Sequence, residues 1–164
     1  MEDYMKLEGK VNITHEPKVV WDFLLDYKKS CKCISGLQTI DEIPPGNKFK
    51  AVVTGGMGAV KATFTIDAEF LDLIRPTSAK MLIYGKAPGN VVKGNCEMIL
   101  NSNENHGTNL EWKADISITG TIGMLATRFI PSISKKLTDE FFECVKNEID
   151  TEEKNREIIN GSTL

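Results

Sequence analysis

From Val60 to Phe70 the chain alternates without a break. Val60, Ala62, Phe64, Ile66, Ala68 and Phe70 fall on one face, and Lys61, Thr63, Thr65, Asp67 and Glu69 on the other. A strand turns its side chains over at every residue, so this segment has one apolar face and one wet face. The same period predicts strands over Met5–Ile13, Leu37–Ile43, a segment carrying Phe49, Ala51 and Val53, Val60–Ile74, Ser78–Ala87, Val91–Asn101 and Thr108–Thr119. Turn formers separate them: Pro44-Pro45-Gly46-Asn47, Gly55-Gly56-Met57-Gly58, Arg75-Pro76, Pro88-Gly89-Asn90 and the polar loop Ser102–Gly107. The inward faces of these strands carry no charge.

The period shifts to a helical one in two places. After the first strand, Thr14 or His15 sits near a cap, Glu16 follows, and Pro17 falls in the first turn of a helix whose stripe is Val19, Val20, Phe23 and Leu24, with Trp21 beside it. A second short helix is predicted over Tyr27–Cys33, ending near Gly36. Near the C-terminus, Ile122, Leu125, Phe129, Ile133, Leu137, Phe141, Val145 and Ile149 form one stripe of a long helix over Thr121–Ile149. Pro131 loses a backbone hydrogen bond and clashes with the preceding turn, which predicts a kink or break near Ile130. The polar segment Thr151–Leu164 is expected to fray or be disordered. This gives one domain over residues 1–149 and a polar tail over 150–164. Strands joined by short turns, with helices segregated from them, make an α+β protein: a seven-stranded antiparallel sheet, two short helices after strand 1, and a long C-terminal helix lying against the sheet.

Length and composition narrow the function. A chain of 164 residues with 41% apolar and 26% charged residues has the makings of one soluble domain. The net charge of −3, with no basic run interleaved with aromatics, argues against nucleic acid as a partner. The apolar runs are too short to span a bilayer, and Met1-Glu2-Asp3-Tyr4 lacks the apolar region of a secretory signal, so a cytoplasmic protein is expected. In that compartment Cys31, Cys33, Cys96 and Cys144 are expected to be reduced, free thiols.

The candidate chemistry is apolar. By alternation, the inward positions include the small residues Gly9, Ala51, Ala62, Ala68, Ala79, Gly94, Cys96 and Ala114. A small residue facing the core leaves volume that either a ligand or helix side chains must fill. The residues placed to meet a hydrophobic ligand are Phe64, Ile66, Met81, Met98, Trp112, Leu125 and Phe129. Catalysis has little to work with. His15 lies beside a helix start and His106 in a polar loop, both solvated. Asp67, Glu69, Glu97, Glu111 and Asp115 face outward, where Lys61, Lys93 and Lys113 are expected to pair with them across strands. Cys31-x-Cys33 lacks the second close pair that a structural zinc site needs, and nothing calls for a cofactor or metal. The segment Gly55–Gly58 has no Gly-Lys-Ser/Thr and precedes a strand, so it is a hairpin connection and one lip of any cavity mouth.

Four stretches together resemble one family. They are Met5-Lys6-Leu7-Glu8-Gly9; Val19-Val20-Trp21 through Cys33-Ile34-Ser35-Gly36; Gly58-Ala59-Val60-Lys61-Ala62-Thr63-Phe64; and Lys135-Lys136-Leu137-Thr138-Asp139-Glu140-Phe141-Phe142. They occur in the order found in the CoxG family, named for a subunit of carbon monoxide dehydrogenase, within the START/Bet v 1-like (SRPBCC) superfamily. Ser35 stands where the family's turn has proline, and the polar end of this chain lacks the apolar tail segment of many bacterial members. The resemblance implies the helix-grip fold, in which the sheet wraps around the C-terminal helix. It also implies a non-enzymatic carrier of a hydrophobic small molecule, of the quinone or isoprenoid-lipid class, serving a molybdenum hydroxylase at the inner face of the membrane. Arg128, Lys135 and Lys136 either meet anionic headgroups during delivery or form a solvated helix face. The competing readings are a cyclase or hydrolase acting on a hydrophobic substrate in the same cavity, and an assembly factor for a partner enzyme.

Overall fold

The computed structural model describes residues 2–43, 46–57 and 60–162, without the side chains at 2, 3, 56, 57, 60, 123–127 and 162. Its elements are β1 (Glu2–Ile13), α1 (Pro17–Leu25), α2 (Tyr27–Ser30), a 3-10 turn (Cys31–Cys33), β2 (Leu37–Ile43), β3 (Lys48–Met57), β4 (Val60–Ile74), β5 (Ser78–Ala87), β6 (Asn90–Ser102), β7 (Thr108–Gly120) and α3 (Thr121–Ser162). The seven strands form one antiparallel sheet in the order β1-β7-β6-β5-β4-β3-β2. Hairpins carry the chain from β2 to β7. Only β1 pairs out of sequence, closing against β7 with Gly9 opposite Trp112. The architecture is the expected helix grip. The turn at Pro44-Pro45 and the Gly58 end of the β3–β4 connection lie outside the described residues.

The apolar face of the sheet carries the core in two clusters. Ile13, Ala79, Leu100 and Leu110 meet Val20, Trp21, Phe23 and Leu24 of α1 and Val145 and Ile149 of α3. Phe49 and Ala68 meet Cys31 and the side chains of Tyr27 and Ile34. Burial of these side chains, worth about 25 cal/mol per Å² of apolar area, is what fixes the helices to the sheet. The outer face is wet and paired across strands. Asp67, Glu69 and Glu111 do face outward, but their partners differ from those expected: Lys50 at 3.1 Å, Lys48 at 4.0 Å and Lys10 at 3.4 Å. The register decides this, because Lys50 sits directly opposite Asp67 and Lys10 opposite Glu111.

Several local expectations change. The second helix is a four-residue turn of α-helix followed by the 3-10 turn. Pro17 does open α1, but the capping position is Glu16, with no side-chain cap. His15 is not solvated: its side chain is 18% exposed, and its Nε2 lies 2.6 Å from Asp150 Oδ1. Cys33 and Cys144 are not free thiols but form a disulfide, with their Cα atoms 5.5 Å apart. Cys31 and Cys96 remain free. Helix α3 runs through Pro131 without a break and continues to Ser162, so the polar stretch from residue 150 is helical.

Helix α3 is held at two places. Its start is capped from the first residue of β6, where the buried Asn90 accepts the Ile122 N–H at 2.8 Å and the Thr121 hydroxyl at 3.4 Å. Gly120 immediately before it has φ 121°, and a Cβ there would stand 2.0 Å from the Gly89 carbonyl, so only glycine fits. The second hold is at 144–152: the disulfide, buried Val145 and Ile149, the His15–Asp150 contact and the Lys29–Glu152 ion pair at 2.9 Å. The helix's main neighbours are β1, β7 and β6, together with α1 and the 3-10 turn.

Candidate functional site

The register lays the inward residues out in rows. One runs Phe49, Ala68, Ile83, Gly94, Ile116, Met5. Its neighbours run Ala51, Ile66, Gly85, Val92, Ile118 and Phe70, Met81, Cys96, Ala114, Leu7. Small side chains recur in the middle of each row, so the centre of the sheet is a shallow apolar trough. Larger residues lean into it. Phe64 and Ile66 both come within 3.7 Å of where a Gly85 Cβ would stand, and Ile83 closes over Gly94. Phe64, Ile66, Met81 and Ile83 remain partly accessible, as do Leu7, Cys96 and Ile116 on the half of the sheet where α3 has its main seat.

The structure divides the residues chosen from sequence. Phe64 and Ile66 sit together in the open half of the trough. Met81 lies beside them and packs on the Phe49–Ala68 cluster. Met98 and Trp112 are opposite one another on β6 and β7 and pack against the core beneath the C-terminal half of α3. Phe129, on α3, is 49% exposed. The Leu125 side chain lies outside those described.

Two features were not anticipated. Tyr27 stacks on Phe49, with ring centroids 4.8 Å apart, and its hydroxyl is buried without a hydrogen-bond partner. Burial, then the nearby Glu42 carboxylate, push the Tyr27 phenol pKa above its ordinary value, so it stays a donor. Glu42 itself is the exception to the uncharged inward face. A register shift between Leu37 and Thr39 brings β2 into a pairing that sets Glu42 opposite Phe49, at the exposed sheet edge.

A groove of about 680 Å³ separates β1 from α3. Leu7, Gly9 and Val11 line one side, Pro131, Thr138 and Phe142 the other, with Trp112 between them. A larger hollow of about 920 Å³ lies on the outer face among Tyr4, Lys50, Asp67, Tyr84 and Lys93. Of its charges, Lys50 pairs with Asp67 and Lys48 with Glu69 across strands, and it opens on the wet face away from α3.

Few of the groups present suit bond-making chemistry. Burial drives the Cys31 and Cys96 thiols up from 9.0 to about 11, which keeps both as weak nucleophiles. Among the described residues, no group of three or more His, Cys, Asp or Glu side chains is placed to hold a metal ion. None of the described helices is long and apolar enough to cross a membrane.

Solved structures share this architecture. A conserved protein from Geobacillus kaustophilus superposes with a TM-score of 0.83 at 24% identity, over 90% of this chain and 96% of that one. The Zhui aromatase/cyclase from Streptomyces sp. R1128 gives 0.61 at 15% identity, over 94% and 96%. Ara h 8.0201 gives 0.62 at 13% identity, over 91% and 99%. At these identities the likeness is one of fold. No curated protein sequence matches the chain. The family model for the CoxG subunit of carbon monoxide dehydrogenase matches residues 9–150, from the middle of β1 to the second hold on α3, and the chain belongs to the CoxG family.

Proposed function

We propose that this protein is a non-enzymatic carrier of a hydrophobic small molecule, of the quinone or isoprenoid-lipid class, working beside a molybdenum hydroxylase such as carbon monoxide dehydrogenase. The observation that carries the reading is the trough. Its centre is uncharged and lined by small residues, and Phe64, Ile66, Met81 and Ile83 stay partly open to solvent. Partly exposed apolar surface of this kind is stabilised by covering it, at about 25 cal/mol per Å² removed from water. Membership of the CoxG family supports both the apolar cargo and the partner enzyme. Asp67, Glu69 and Glu111 point outward, so these carboxylates supply no acid–base pair to the trough, which favours carriage over turnover.

The test is Ala62→Trp. Ala62 is on β4, two residues from Phe64 and on the same face, and an indole there fills the trough. Protein purified from its own host should release an apolar molecule on solvent extraction, detected by mass spectrometry. The variant should keep its circular dichroism spectrum and carry none. Wild-type loading by the variant overturns the reading.

A further inference from the structure

Gly9 is the small residue whose reason is plainest. A Cβ there would stand 2.6 Å from Trp112 Nε1 and 2.7 Å from its Cε2, so the indole lies directly across β1 where the side chain would be. This carries the nitrogen edge of the ring to the free edge of the sheet, into the β1–α3 groove. The Trp112 N–H makes no hydrogen bond among the described residues, and unlike the Tyr27 hydroxyl it is not sealed off. The groove therefore has an apolar lining in Leu7, Val11, Pro131 and Phe142, and one unused donor.

Its rims carry charges of both signs. Lys6, Glu8 and Lys10 stand on the β1 side, and Lys135, Asp139, Glu143 and Lys146 on the helix side. Two of the lysines are already paired, Lys135 with Asp139 at 2.9 Å and Lys10 with Glu111 at 3.4 Å. A phosphate or carboxylate head would meet Glu8 on one bank and Asp139 and Glu143 on the other. A neutral ring bearing oxygen acceptors meets a flat indole, apolar walls and a donor. The volume is that of a small-molecule site.

We propose that the β1–α3 groove seats the polar head of the cargo, a neutral oxygen-bearing ring, with Trp112 Nε1–H donating to one of its oxygens. The inference rests on the carrier reading and adds to it where the head group binds and why an uncharged one is selected. Trp112 is a specificity residue here, and Gly9 is the position that admits it.

The test compares two probes by isothermal titration calorimetry: a 1,4-naphthoquinone carrying one isoprenyl unit, and the isoprenyl naphthalene lacking the ring oxygens. Wild type should bind the quinone more tightly. Trp112→Phe, which keeps the ring and removes the donor, should weaken quinone binding about tenfold and leave the hydrocarbon unchanged. Thr138→Trp, which fills the groove from the helix side, should weaken both while the circular dichroism spectrum holds. Quinone binding unaffected by either variant but abolished by Ala62→Trp overturns the groove assignment and leaves the carrier reading standing. Failure of wild type to bind either probe overturns both.

Discussion

At the scale of single residues, the groove depends on what Gly9 lacks. Any larger side chain drives the Trp112 indole off β1, because a contact under 3 Å with a rigid ring forces movement. Gly9→Ala should therefore destabilise the fold by about 1–3 kcal/mol, as overpacked sites do, and change the near-ultraviolet circular dichroism of Trp112. An unchanged spectrum and melting temperature would show that the indole has another seat. The buried Cys31 thiol and the half-buried Cys96 thiol give a pH signature. Both pKa values are raised from 9.0 to about 11, so the unfolded chain loses these protons first as the medium becomes alkaline. Their contribution to stability is complete below about pH 9 and is lost as pH climbs through about 11. The urea midpoint should fall over that interval, and iodoacetamide at pH 8 should label neither Cys31 nor Cys96 until the protein unfolds. Residue identity was legible wherever alternation governs, as at Phe64 and Ile66. Tyr27 was not, because its role comes from stacking on Phe49 of another element, and local spacing records nothing of that contact.

At the scale of elements, α3 departs most from the sequence expectation. The rule that proline breaks a helix fails at Pro131. The side chain is solvent-facing, so water can serve the carbonyl left without a partner, and the Asn90 cap and the disulfide hold the helix on either side. The polar stretch beyond Ile149 lacks an apolar stripe, which is why fraying is the expectation there. It gains Lys29 and His15 as partners instead, and neither is visible until α1 and α2 are placed beside it. The disulfide is the same kind of omission: 111 residues separate Cys33 from Cys144, and only the packing of α3 on the 3-10 turn brings them together. Cys144→Ser should lower stability by about 2–5 kcal/mol in the oxidised protein. Dithiothreitol should reduce the melting temperature of the wild type to that of the variant and leave the variant unmoved. Equal melting temperatures for oxidised wild type and variant would mean the bridge contributes nothing to holding the helix.

At the scale of the whole molecule, the fold was readable because two signals agree all along the chain. Alternation marks the strands, and short turns between them permit only antiparallel neighbours. The site was less readable. A trough and a groove are defined by where α3 leaves the sheet and by the register between strands, and both are properties of the assembled molecule. Sequence reasoning grouped Phe64, Met98, Trp112 and Phe129 as one lining. The structure sets Phe64 in the open trough, Met98 and Trp112 beneath the helix, and Phe129 on its exposed side.

The pairing of β1 with β7 has a kinetic corollary. Every other strand meets its partner across a short hairpin, whereas the first strand must wait for the last, with almost the entire sheet between them. Closing so large a loop costs entropy before its contacts repay it, so the edge that builds the groove is expected to join after the folding nucleus, which Φ-values near zero on β1 would show. A guest held there can act only on a structure that is already nearly complete: it should slow escape from the native state and leave the speed of reaching it untouched.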